Sequence, residues 1–256
     1  MLYFEDQPYQ HAVTFPIRSQ RIVLALLTSA LALAFWVTHL IVVRYKAERG
    51  LLAVEWRDRG MRDLPKHPAQ AVVDYETALS YADESDVRFS LAQALVESGR
   101  FAEAQAQLLT LWTEAPGDGR INLQLARLAA SANDEGDAVR YYHAAIDGAW
   151  ESGVAVARRT ARLELAKFLL SKGQAVRAQA ELIAMIDDLP ADAELITDVG
   201  RLLIDAGADA RAMTLLQRAL MVAPSYPRAA RLAGGVAFRS GDYRLAQRYL
   251  SEAAAL

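Results

Sequence analysis

The chain has 256 residues, 53% hydrophobic and 23% charged, with a formal net charge of -3. That balance excludes a largely disordered chain and supplies no basic surface for nucleic acid. Cysteine is absent, which excludes disulfides, cysteine-ligated zinc or iron–sulfur sites, thiol catalysis and an acylated-cysteine anchor.

Residues 1–21 form an N-terminal tail ending in Arg18 and Arg21. From Ile22 to Val43 the chain runs 22 residues without an Asp, Glu, Lys or Arg. As a helix this run reaches about 33 Å, enough to cross the hydrocarbon layer of a bilayer. Arg44 and Lys46 follow it, and Tyr45 lies where an aromatic ring favours the headgroup region. The reading is a single transmembrane helix over 22–43. A cleaved signal peptide with its small-residue site at Ala32 and Ala34 competes with it. A cut there would leave Phe-Trp-Val-Thr-His-Leu-Ile-Val-Val as a sticky new terminus. The lack of a polar face argues against a buried soluble helix. Arg18 and Arg21 precede the run, whereas Arg44, Lys46, Arg49, Arg57, Arg59 and Arg62 follow it. Counting basic residues puts the C-terminal domain on the cytoplasmic side of the membrane. The two arginines directly before the span leave the periplasmic orientation open.

Beyond Arg44, Ala, Leu, Glu, Gln and Arg dominate and no stretch alternates apolar with polar residues for long, which predicts helices and no strands. Residues 44–84 read as a helical stalk with a degenerate repeat. Ala71, Tyr75 and Ala78 look like its second helix, while its first helix has no clear signature.

Internal repetition governs the rest. Gly99, Asn133, Gly173, Gly207 and Gly241 are separated by 34, 40, 34 and 34 residues. Five residues after each stands an alanine: Ala104, Ala138, Ala178, Ala212 and Ala246. Seven residues before each stands Ala92, Ala126, Ala166, Gly200 or Gly234. Seventeen residues after the first four stand Pro116, Trp150, Pro190 and Pro224. Each class has a physical task. The Gly or Asn ends a helix in the left-handed conformation that other residues resist. The small residues let two antiparallel helices approach closely. The Pro stops the second helix. Leu91, Leu125, Leu165 and Val199 on the first helices, with Leu108, Tyr142, Leu182, Leu216 and Leu250 on the second, supply the apolar stripe. The unit is a helical hairpin.

These residues resemble the tetratricopeptide repeat, whose 34-residue helix-turn-helix unit has this order of small residue, Gly, Ala and terminal Pro. The resemblance implies an all-α fold, an α-solenoid of hairpins at 85–118, 119–152, 159–192, 193–226 and a shortened 227–256. The family's Trp position is Arg88, Asn122, Arg162, Ile196 and Ala230 here, so no characterised subgroup is matched. The insertion at 153–158 either lengthens a helix or bulges a turn, and changes the curvature there. The last unit stops inside its second helix, which leaves an edge at Ala246, Leu250 and Ala253 for a partner or a second copy.

The resemblance further implies a concave face lined by first helices, at the second, fifth, ninth and thirteenth residues of each unit. Phe89, Gln93, Arg120, Arg127, Lys167, Arg201, Arg228, Arg231 and Arg239 thereby become candidate contacts for a protein or peptide. They form a basic ladder, broken by Asp86, Glu97, Glu194 and Asp205. The ladder reads either as a solvated surface of local ion pairs or as a groove for an acidic peptide, with Arg127, Lys167 and Arg201 pairing carboxylates. The chaperone-tail clamp pattern of Asn and Lys is not reproduced.

No phosphate loop, Gly-x-Ser-x-Gly or His-Glu-x-x-His occurs, and Gly117-Asp-Gly119 leads to Asn122 rather than a third Gly. His11, His39, His67 and His143 are too scattered to form a local ligand pair. No catalytic residue, metal site or cofactor is expected. His39 lies inside the apolar run, and reads as a neutral imidazole near the interface or as a contact for a second helix or a bound pigment or haem. Two functions fit: a non-catalytic membrane-anchored scaffold that holds protein partners on its concave face, or an accessory subunit of an integral membrane complex, contacting it through the span and the lead from Tyr3 to Pro16.

Overall fold

The computed structural model describes residues 17–255, with side chains from Ile22 onward. The lead from Tyr3 to Pro16 and the side chains of Arg18 and Arg21 therefore lie outside the described residues. The described chain is all helical: α1 (Ile17–Asp63), α2 (Pro68–Tyr81), α3 (Ser85–Glu97), α4 (Phe101–Glu114), α5 (Gly119–Ser131), α6 (Glu135–Asp147), α7 (Val154–Ser171), α8 (Ala175–Ile183), α9 (Ala193–Asp205), α10 (Asp209–Val222), α11 (Pro227–Arg239) and α12 (Tyr243–Ala254). Consecutive helices pair as hairpins, and each hairpin stacks on the next.

The apolar run and the stalk are a single helix, α1, of 47 residues. No proline interrupts it. Its side chains from Ile22 to Val43 all point outward, Leu31 and Phe35 being 75% exposed, and this half is long and apolar enough to cross a membrane. The C-terminal part of the same helix is the missing first helix of the degenerate repeat. It lies antiparallel to α2: Gly60 faces the Tyr75 ring, Arg59 Nε lies 3.5 Å from Asp74 Oδ2, and Arg49 donates to the Ser80 carbonyl. Two departures from the repeat concealed it. The 64–67 turn contains no left-handed residue, and Gly60 and Tyr75 are one position closer in sequence than Gly200 and Leu216 or Gly234 and Leu250.

In the remaining hairpins the turn residues take the conformation that their identity foreshadows. Gly99, Asn133, Gly173, Gly207 and Gly241 have φ of +78°, +64°, +70°, +75° and +81°. Each is followed by an N–H that reaches five residues back, as Arg100 N does to the Leu95 carbonyl at 2.8 Å. This arrangement satisfies the last carbonyls of the first helix. The ten small positions are all buried, and at Gly234 an added Cβ would stand 2.7 Å from Leu250 Cγ. Close helix approach is thus the reason for small residues there. Asp118, Asp134, Asp192 and Asp242 accept backbone N–H bonds at the starts of α5, α6, α9 and α12, each contributing about 1 kcal/mol.

The insertion lengthens a helix. Helix α7 has 18 residues against 13 in α3, α5, α9 and α11, and it starts after Gly153 in the left-handed conformation. Its partner α8 has only 9 residues, and the chain from Ala184 to Leu189 leaves the helix. Arginines cap the carbonyls freed by that early end: Arg162 donates to Ala184, Arg159 to Asp188, and Arg218 to Ile186 and Leu189 at 3.0 and 2.7 Å. The apolar core is built as two clusters that meet at α7 and α8, one reaching Ala178 and the other beginning at Ala166.

Candidate functional site

In the C-terminal half first helices touch their counterparts, α7 against α9 and α9 against α11, so first helices share one face there. A hollow of about 400 Å3 lies between α3 and α5 beside the turn that follows α1. Gln93 and Glu97 of α3 and Gln124 and Arg127 of α5 supply its polar rim; Leu64, Phe101 and Leu128 supply apolar surface. Two expected contacts, Gln93 and Arg127, are brought together here.

Most of the basic ladder is already paired. Arg127 holds Glu164 of the next hairpin through two bonds, 2.9 and 2.7 Å long. This bidentate geometry is the strong form of the Arg–carboxylate pair. The bond to Glu164 raises the Arg127 pKa above its ordinary value. Beside them, the Tyr142 hydroxyl lies 3.5 Å from Glu164 Oε2, and its pKa is pushed up to about 12, first by burial and then by the neighbouring carboxylate. Arg120 lies among Asp86, Asp118 and Glu151 at 3.5, 3.2 and 3.1 Å, with its guanidinium 5.5 Å over the Phe89 ring. Phe89 is therefore a half-buried platform for Arg120. Arg201 pairs with Asp205 at 2.7 Å, Arg228 with Asp198 at 2.6 Å, and Arg239 with both oxygens of Asp209 at 2.8 and 2.9 Å. The last bond holds Asp209 below the usual carboxylate range. Among the described residues, Lys167 and Arg231 of the ladder form no ion pair. The acidic residues spaced along the face explain this. They sit within reach of five of the guanidinium groups, and the pairs of Arg120 with Asp86, Arg127 with Glu164, Arg228 with Asp198 and Arg239 with Asp209 link neighbouring hairpins.

At the far edge, Ala246 is 2% exposed inside the α11–α12 hairpin, so it belongs to the core rather than to a bare edge. Leu250 is 43% exposed and Ala253 half-buried. His39 stacks on Phe35 one turn away, with ring centroids 6.5 Å apart.

Sequence reasoning missed Asn122. It is fully buried, and its amide donates to the Pro116 and Asp118 carbonyls at 2.9 and 2.8 Å. The adjoining loops are tied by Gly119 N to the Ala149 carbonyl and Ala149 N to the Gly117 carbonyl, both at 2.8 Å. Trp150 then covers Gly119, where an added Cβ would stand 2.3 Å from its ring. Trp150 thus fills by packing the place that Pro holds in the other repeats.

A tetratricopeptide repeat family model matches residues 66–121, from the turn before α2 to the start of α5. No curated protein matches the chain in sequence. Solved structures share the fold at low identity. PilF of Pseudomonas aeruginosa is 14% identical with a TM-score of 0.58, over 79% of this chain and 90% of that one. PilW, described as a type IV pilus biogenesis factor, is 18% identical with a TM-score of 0.54, over 82% and 92%. YrrB, described as a repeat protein with an unusual peptide-binding site, is 14% identical with a TM-score of 0.54, over 70% and 90%. Residues 66–121 thus match the tetratricopeptide repeat, and the same hairpin recurs through α12, so the chain has the fold of a tetratricopeptide repeat solenoid.

Proposed function

We propose that the chain is a non-catalytic scaffold, anchored once in the inner membrane of a bacterium by Ile22–Val43, that holds segments of partner proteins on its concave face. The observation that carries this reading is the hollow between α3 and α5, where amide side chains and apolar surface are exposed side by side. Amides suit the backbone of an extended segment, and Phe101, 53% exposed, suits an apolar anchor residue. A preformed groove lowers the ordering cost of binding. Preference for an acidic segment falls to Lys167 and Arg231, because Arg127 and Arg201 would first have to release Glu164 and Asp205. The likeness to YrrB supports peptide capture, and the likeness to PilW, a type IV pilus biogenesis factor, supports work in building a protein assembly.

The test is site-specific photo-crosslinking in native membranes. A photoreactive residue at Gln93 or Gln124 should yield partner adducts, and one at the exposed Thr110 of α4 should not. Equal yields at the three positions would remove the reading. Orientation follows the basic residues after the span, which place the solenoid in the cytoplasm. Alkaline phosphatase fused at the C-terminus should accordingly be inactive.

A further inference from the structure

Helix α2 stops where α1 goes on toward the apolar run, and a notch opens between them. Its floor, a hollow of about 330 Å3, is formed by Tyr45, Glu48, Arg49, Leu52, Ser80 and Tyr81. Tyr45 and Glu48 also border an exposed apolar surface of α1 that continues over Val37, Leu40 and Ile41. The residues of α1 recur at three- and four-residue spacing and therefore form one stripe of the helix. Resting on the membrane reading above, depth can be assigned along this stripe. The apolar run ends at Val43, and Glu48 lies about 7.5 Å farther along the helix axis. That distance is about the thickness of one headgroup layer. The apolar surface is then at acyl depth and the polar notch at headgroup depth.

The notch holds both signs of charge. Arg44 is exposed beside it. Arg49 is held between the Tyr45 and Tyr81 rings, 5.8 and 6.0 Å from their centroids, and donates to the Ser80 carbonyl. A guanidinium has five N–H donors, so further acceptors can be bound there. Glu48 is exposed and forms no ion pair among the described residues. The C-terminal end of α2 adds partial negative charge on the same side. A ligand with only negative charge would meet repulsion from Glu48 and α2, whereas one with only positive charge would meet Arg44 and Arg49.

We propose that this notch binds a phospholipid whose headgroup carries a phosphate and a primary ammonium. The acyl chain lies along Val37, Leu40 and Ile41, the phosphate accepts from Arg44 and Arg49, and the ammonium donates to Glu48. A quaternary ammonium fits less well because it has no N–H to donate.

The experiment uses the full chain purified in detergent and offered equal amounts of phosphatidylethanolamine, phosphatidylcholine and phosphatidylglycerol with matched acyl chains. Native mass spectrometry reads the lipid retained. Phosphatidylethanolamine should be retained about fivefold over either rival, the size of one charge interaction at a membrane surface. Glu48→Gln should erase the preference over phosphatidylglycerol, and Arg44→Gln should lower retention of all three. Soluble phosphoethanolamine, lacking the acyl chain, should not be retained. Equal retention of the three lipids, a preference that survives Glu48→Gln in a variant with unchanged circular dichroism, or equal retention of the soluble headgroup would each overturn the proposal. Alkaline carbonate extraction reads the membrane anchoring itself. Protein stripped from membranes sinks that reading, whereas an integral protein indifferent to lipid type sinks only this one.

Discussion

The Tyr75 ring lies directly against the backbone of Gly60, so close that an added Cβ would stand 2.9 Å from Cε1. This contact turns the end of a long apolar helix into the first helix of a repeat. Gly50 on the same helix has nothing within 4 Å of an added Cβ. The two glycines form a matched pair. Gly50→Ala should raise stability by up to about 1 kcal/mol through helix propensity. Gly60→Ala should lower it by about 1–3 kcal/mol, because the aromatic ring must shift in a packed site. Urea denaturation of the two variants checks this, and limited proteolysis at the 64–67 turn should accelerate only for Gly60→Ala.

The Tyr142 hydroxyl should make the array sensitive to alkali. Its folded pKa, about 12, exceeds the ordinary phenol value of 10.0, so the native state favours the protonated phenol. The associated stability is complete below pH 10, declines as the unfolded chain loses its proton, and is gone above about pH 12. Phenolate absorbance should show a late-titrating tyrosine that Tyr142→Phe removes. The variant's urea midpoint should also fall less steeply between pH 9.5 and 11 than that of the parent, a window set by these pKa values.

Acid should loosen the far end of the solenoid through Asp209. Arg239 holds its folded pKa below the ordinary aspartate value of 3.8. The stability from this pair is present above the unfolded pKa and is lost as pH falls through the folded one. Asp209→Asn should therefore flatten the decline of α11 and α12 in hydrogen exchange below about pH 4. A decline of unchanged slope would assign the acid response to other carboxylates.

Arg218 closes the gap left by the short α8. Replacing it with Met keeps much of the stem and removes the donors to the Ile186 and Leu189 carbonyls. Loss of those bonds should cost about 1–3 kcal/mol. Thermal unfolding should show the loss, with hydrogen exchange rising first between Ala184 and Leu189.

Repeats whose parts obey one spacing were legible because each part has a steric requirement that few residues meet. Gly99 and Asn133 had to accept positive φ, and Ala104 and Ala138 had to lie between helices. Helix α7 was harder, since an insertion at 153–158 has the same period shift whether it extends a helix or bulges a turn. The first helix of the degenerate unit was hidden because α1 continues an apolar run whose pattern obscures the Gly60 contact. On the binding face, residue positions were legible but their freedom was not. Arg127 and Glu164 are 37 positions apart, and no local pattern joins them. Repeat register suggested a ladder, while distance in space decided that most of its rungs were already occupied.

Because α1 runs unbroken from the apolar segment into the first hairpin, the repeats have a mast rather than a tether beneath them. With Ile22–Val43 spanning a bilayer as proposed above, a rotation or tilt imposed on that end by a neighbour in the membrane would swing the whole array, with the largest arc at the hairpins farthest from the mast. Cutting stiffness at one point, by inserting glycines between Lys46 and Arg49, would leave every repeat intact while freeing its aim.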